Sequence, residues 1–144
     1  MMSLRKATFS DVDNLLLWRN DSLTRANSRD TGPKDLSWIE AKLKDPKTIL
    51  LIGEVDGHPV GTATLDDLST TLELSWTVSP DKRGLGYGTA LVRSVIDYHR
   101  GLGVRKILSA QIKINNKPSI RIAKSVGFRP GQVDGELQTW SYVL

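Results

Sequence analysis

Cysteine is absent from the 144 residues, and histidine occurs only twice, as His58 and His99. Without thiols there is no disulfide framework, no thiolate nucleophile, no iron–sulfur cluster and no cysteine-bound zinc. Two histidines make no histidine-rich metal site, so no metal is expected. Aromatic residues are only 6% of the chain and never interleave with basic ones, so the stacking stripe of a nucleic-acid groove is missing. No apolar run approaches the ~18 residues of a membrane span. The start, Met1-Met2-Ser3-Leu4-Arg5-Lys6, lacks the apolar stretch of a signal peptide. A soluble, cytoplasmic protein with neither nucleic-acid nor membrane partner is the expectation. No block of five like charges occurs, so the net charge of +4 reads as a solvated surface, and an anionic small ligand suits it equally well.

What is present is a globular composition, 39% hydrophobic and 25% charged. At ~150 residues per domain, residues 1–144 make a single domain. Residues 3–8 read as a strand. Ser10 with Asp13 reads as a helix cap, followed by Val12, Leu15, Leu16 and Leu17 to about Asn20. Residues 21–34 are polar and carry Gly32-Pro33, which implies a loop or broken helix. Ser37 with Glu40 suggests a second cap, for a helix that Asp45-Pro46 ends. Strands are expected at 48–55 and 60–65 around the Asp56-Gly57 turn. Residues 71–78 alternate, with Leu72, Leu74, Trp76 and Val78 on one face and Glu73, Ser75 and Thr77 on the other. A helix carrying Leu91, Val95, Tyr98 and Leu102 follows a glycine-rich segment. Then come a strand at 105–114, a helix with Asn116 as cap and Gly127 as stop, and strands at 128–130 and 137–143.

Strand, glycine loop and helix together make a generic phosphate cradle. Two familiar versions do not fit Arg83-Gly84-Leu85-Gly86-Tyr87-Gly88. The dinucleotide fingerprint needs a third glycine where Thr89 stands, and the Walker loop needs G-x-x-x-x-G-K-[ST]. Val78-Ser79-Pro80-Asp81-Lys82-Arg83-Gly84-Leu85-Gly86-Tyr87-Gly88 instead resembles the coenzyme-A loop of the GNAT superfamily of N-acetyltransferases. One helix and one strand later, the segment from Asn116-Lys117-Pro118-Ser119 to Ala123-Lys124-Ser125-Val126-Gly127-Phe128 resembles the helix that flanks the coenzyme. Trp18-Arg19-Asn20-Asp21 and Asp35-Leu36-Ser37-Trp38 are similar to the branch that acetylates amino sugars on nucleotide carriers, as in pseudaminic-acid pathways.

The resemblance implies an α/β GNAT fold, a mixed, twisted sheet of about six to seven strands with helices on both faces, its middle strands splayed to admit acetyl-CoA. It implies acetyl-CoA as co-substrate and a small-molecule primary amine as acceptor, an amino sugar on a nucleotide carrier before a protein N-terminus or a polyamine. A non-catalytic acyl-CoA-binding module is the alternative, and the enzyme would be a monomer or homodimer. Coenzyme contacts would come from Thr77, Val78, Arg83, Gly84, Gly86, Gly88, Thr89, Asn116 and Ser119. Asn116 is equally a routine helix cap. Glu73 stands where many members have a general base, and is equally an exposed strand residue. Trp18, Arg19, Asn20 and Trp38 would bind the acceptor, although each tryptophan taken alone suits core packing. Ala123 occupies the usual position of the tyrosine general acid, so the proton donor is unassigned, and a tyrosine at 123 is expected to fit. His58 and His99 are expected at the surface.

Overall fold

Asp56 and Gly57 take φ values of 52° and 76°, the two positive values that a two-residue type I′ hairpin needs. They join β1's neighbour β2 (Thr48–Val55) to β3 (His58–Asp67), with Val55 opposite His58; β1 itself is Met2–Lys6. β4 (Thr71–Val78) returns along β3. β5 (Ile107–Lys113), β6 (Arg129–Asp134) and β7 (Leu137–Tyr142) complete the sheet. The computed structural model describes residues 1–103 and 107–143, and over these the order is β1-β2-β3-β4-β5-β7-β6, seven strands. Only β4 and β5 are parallel neighbours. The expected start of β5 at Arg105 lies outside the described residues.

Alternate side chains of β2 divide the molecule into two cores. Leu50 and Ile52 pack on one face with Leu15 and Trp18 of α1 (Val12–Asn20) and Ile39 of α3 (Leu36–Lys44). Leu51 faces the other side, with Leu91, Val92, Val95 and Ile96 of α4 (Tyr87–Gly101) and Ala123 of α5 (Lys117–Val126). Period-2 alternation over a sheet covered on both faces produces this split.

Helix starts differ from the expectation. Thr8 rather than Ser10 caps the first helical segment, its N–H donating to Asp11 Oδ2 at 2.8 Å, and a turn of 3-10 helix (Phe9–Asp11) precedes α1. Asp11 wins over Asp13 because Arg5 of β1 reaches it with two hydrogen bonds of 2.8 Å. Asp35 rather than Ser37 caps α3, accepting from the Trp38 N–H at 3.1 Å. A short helix, α2 (Ser22–Asn27), lies within the polar stretch, its cap Asp21 accepting from the Thr24 N–H.

The feature that positions the site is a splay. β4 pairs with β5 only over Thr71–Glu73 against Ile107–Ser109. Beyond this β5 stays with β7, and among the described residues the second half of β4 has no strand on that side.

Candidate active site

Two cavities meet at this splay. A groove of about 600 Å³ runs along the start of α4, and a cleft of about 530 Å³ opens between β4, β5 and the α1–α3 layer. Asn27, Ser28, Trp76, Thr77, Asn116 and Ser119 line both, so the cavities adjoin. Their size is that of ordinary ligand sites.

The groove is built for an anion. Gly86 caps α4 with φ 82°, and the first helical bond runs from the Ala90 N–H to the Gly86 oxygen, at 3.2 Å. The N–H groups of Tyr87, Gly88 and Thr89 therefore lack intrahelical acceptors and carry the positive end of the helix dipole. A Cβ on Gly84 or Gly86 would meet nothing within 4 Å, so the loop presents bare backbone to open space. Gly88 has a second reason to be glycine, because a Cβ there would come within 2.5 Å of Ile122 Cδ1 on α5. Arg83 bonds Asp21 Oδ2 at 2.6 Å and Thr24 Oγ1 at 3.1 Å, tying the loop to α2. Its guanidinium holds the Asp21 carboxyl below the usual carboxylate range.

The nine residues expected around the coenzyme, Thr77, Val78, Arg83, Gly84, Gly86, Gly88, Thr89, Asn116 and Ser119, all line this groove. Their chemistry differs in two details. The Ser79 N–H donates to the Val60 oxygen at 2.8 Å, and a Cβ on Gly61 would come within 2.7 Å of the Thr77 oxygen. Odd-numbered backbone groups of β4 thus face β3, and by alternation those of Trp76 and Val78 face the splay. Thr77 offers its hydroxyl, not its amide. Asn116 is the α5 cap, its Oδ1 accepting from the Ser119 N–H at 3.3 Å, and it also lines both cavities.

The cleft has a polar floor. Thr62 stands opposite Thr77, Thr64 opposite Ser75, and Asp66 opposite Glu73, all on the face turned toward α1 and α3. Glu73 is 14% exposed and pairs with Arg29 at 2.9 Å. The rim is cationic. Arg19, Lys34 and Lys42 surround the Trp38 ring at 5.6, 5.5 and 5.0 Å. Lys34 is paired with Asp30; Arg19 and Lys42 have no ion-pair partner among the described residues. Burial pulls the Arg19 pKa down, with Asp30 opposing, but a guanidinium stays charged at neutral pH.

Of the four residues expected to bind the acceptor, Arg19 and Trp38 line the cleft, and Trp18 and Asn20 do not. Trp18 is 3% exposed, packed with Leu15, Ile39, Leu50 and Ile52. Asn20 clamps the loop after α2, exchanging bonds of 2.8 and 2.7 Å with the Lys34 backbone. His99 is fully buried in α4, contrary to the surface position expected, because the apolar face of that helix continues through it. Ala123 is also fully buried in the larger core and outside the groove lining, so a tyrosine there has no room. Sequence reasoning missed Arg29, Trp76 and the β3 half of the hydroxyl row, Thr62 and Thr64. The shared alternation of 60–65 and 71–78 could have revealed the row, since antiparallel neighbours put Thr62, Thr64, Ser75 and Thr77 on the face of Glu73.

Among the described residues no group of three or more His, Cys, Asp or Glu could hold a metal. No helix among them is long and apolar enough to cross a membrane.

A seven-stranded mixed sheet splayed beside a glycine-opened helix, with a polar-floored cleft behind the splay, is the arrangement that the coenzyme-A loop resemblance implies. The profile of the acetyltransferase (GNAT) family matches residues 12–128, and the chain belongs to that family. It is 29% identical over 147 residues to the L-methionine sulfoximine/L-methionine sulfone acetyltransferase of Pseudomonas paraeruginosa, covering 94% of this chain and 83% of that one. A Salmonella typhimurium protein solved with its cofactor acetyl-CoA superposes with a TM-score of 0.79 at 25% identity, over 99% of this chain and 94% of that one. Ribosomal-protein-alanine N-acetyltransferase from Brucella melitensis gives 0.79 at 26% identity, over 99% of both chains. The protein is an N-acetyltransferase that uses acetyl-CoA.

Proposed function

We propose that the acceptor is a primary amine that also carries an anionic group, and within that class a free amino acid. The observation that carries this reading is the cationic rim of Arg19, Lys34 and Lys42 about Trp38, facing the polar floor that holds Glu73. The rim suits a carboxylate or phosphate, and it repels a polycation such as a polyamine. The nucleotide-linked amino sugar also belongs to this class. It loses support because Trp18 and Asn20, two of the four residues expected to bind it, lie outside the cleft. The name of the Pseudomonas relative supports an amino acid instead.

Acetyl-CoA supplies an activated acetyl group in this mechanism. The N–H groups of Tyr87, Gly88 and Thr89, with the bare backbone of Gly84 and Gly86, bind its pyrophosphate. The backbone of Trp76 and Val78 would hold the pantetheine as an added strand, and one of these N–H groups would stabilise the negative charge that builds on the thioester oxygen as the amine displaces the coenzyme thiolate. Glu73 accepts the proton lost by the amine, directly or through one water. Ser125 is an unpromising acid for the leaving sulfur, because its hydroxyl is committed to the Ile122 oxygen at 2.9 Å.

A thiol-release assay over a panel of amines tests the reading: amino acids, a nucleotide-linked amino sugar, spermidine and a peptide with N-terminal alanine. An amino acid is expected to give the highest kcat/KM, and Glu73→Gln to lower it ~10²-fold or more with acetyl-CoA binding retained. A preference for spermidine or for the nucleotide-linked sugar would overturn the acceptor assignment. Full activity in Glu73→Gln would remove the base.

A further inference from the structure

Arg29 is an exposed cation on a fixed backbone. The residues on either side are held: Ser28 bonds the Thr24 oxygen at 2.6 Å through its hydroxyl and the Arg25 oxygen at 3.1 Å through its N–H, and the Asp30 oxygen accepts from Arg19 Nη2 at 2.7 Å. Further on, the Thr31 oxygen accepts from Arg25 Nε at 3.0 Å, and Asn20 clamps Lys34. The Arg29 side chain is 62% exposed, and its one partner among the described residues is Glu73, at 2.9 Å. Its guanidinium can therefore be re-aimed by rotamer changes alone while the main chain stays put. Both members of the pair line the cleft.

We infer that Arg29 is the residue that selects an acceptor with a carboxylate next to its amine, by exchanging its bond to Glu73 for one to that carboxylate. This rests on Glu73 as the proton acceptor. An amine entering the cleft arrives as an ammonium and must approach Glu73 before it can lose a proton. A plain amine, or an amino-acid amide, would displace Arg29 and leave an unpaired guanidinium beside a second cation. An α-amino acid brings both charges. Its ammonium takes the place of Arg29 on Glu73, and its carboxylate takes the place of Glu73 on Arg29. One ion pair becomes two and no charge is stranded. Arg29 presents a planar fork that can receive the carboxylate with two parallel hydrogen bonds. Spacing favours Arg29 over the rim for this task. The carboxylate of an α-amino acid lies one carbon from its nitrogen, so it must be recognised by a cation already touching Glu73. Arg19, Lys34 and Lys42, which form no ion pair with Glu73 among the described residues, attract the negative charge of the acceptor into the cleft.

The test is steady-state kinetics of the wild type, Arg29→Gln and Arg29→Lys with the best amino acid of the panel and its carboxamide, acetyl-CoA saturating. In the wild type the acid is expected to exceed the amide in kcat/KM by about 10- to 100-fold, the worth of a charged hydrogen bond. In Arg29→Gln the ratio should fall toward unity, chiefly through a higher KM for the acid, and Arg29→Lys should keep part of it. The melting shift with acetyl-CoA certifies the fold of each variant, and Arg29→Lys carries the test should Arg29→Gln not fold. Equal use of acid and amide by the wild type would overturn the inference. So would an unchanged ratio in Arg29→Gln or in both variants, or acetylation of other amines but of no amino acid, a result that leaves N-acetylation itself standing. Release of no thiol with any amine would fail the underlying mechanism and this inference together.

Discussion

Asp11 shows how one side chain can serve two elements. It accepts from Arg5 of β1 and from the Thr8 N–H that opens the helical segment, and it is 4% exposed. The hydrogen bond from Arg5 is the main cause holding its carboxyl below the ordinary value; desolvation opposes, and the Thr8 N–H assists. A carboxyl more acidic folded than unfolded stabilises the fold above the unfolded pKa of about 3.9, and the contribution is lost as pH falls through the lower folded value. The melting temperature of Asp11→Asn is therefore expected to lie below wild type at neutral pH, with the gap narrowing under acid. A gap independent of pH would show that the charge of Asp11 contributes nothing. At this scale the sequence was legible where side chains act through their neighbours in the chain, as with Asn116 on Ser119. It was illegible where the partner is remote. Trp18 and Trp38 look alike as letters, and only the packing of α1 and α3 on β2 sends one to the core and the other to the cleft. The partners Arg29 and Glu73 are 44 residues apart.

Among the elements, the phosphate loop and α5 were the most legible, because glycines, a cap and a stop signal are local chemistry. The two misplaced caps have a common cause. Thr8 and Asp35 compete with Ser10 and Ser37 for the same job, and the winner is set by β1 and by the loop before α3, not by the helix. The loop before α4 carries its own prediction. Gly86 has φ 82° and open space where a Cβ would go. Gly86→Ala should thus lose only about 1–2 kcal/mol to the left-handed backbone, while the added methyl stands where phosphate would approach. Acetyl-CoA affinity is expected to fall at least tenfold with the fold intact, as read by calorimetric titration. An unchanged affinity would move the pyrophosphate off this loop.

Over the whole molecule, chain order foretold a mixed α/β chain, and the family resemblance a mixed sheet with helices on both faces. Chain order and alternation did not carry the splay, which only the family resemblance implied; its place depends on where β5 leaves β4 for β7, a choice made by strands that lie far apart in the chain. Yet the splay is what joins the coenzyme groove to the acceptor cleft and frees the Trp76 and Val78 backbone. The central claim is that this opening receives acetyl-CoA, and thermal unfolding with and without it tests the claim most directly. At 100 times the dissociation constant a ligand adds ~2.7 kcal/mol of stability, about 5–10 °C for a domain of this size. Acetyl-CoA is expected to raise the melting temperature by that amount and NADH to leave it unmoved. A melting curve unaffected by millimolar acetyl-CoA would contradict the account.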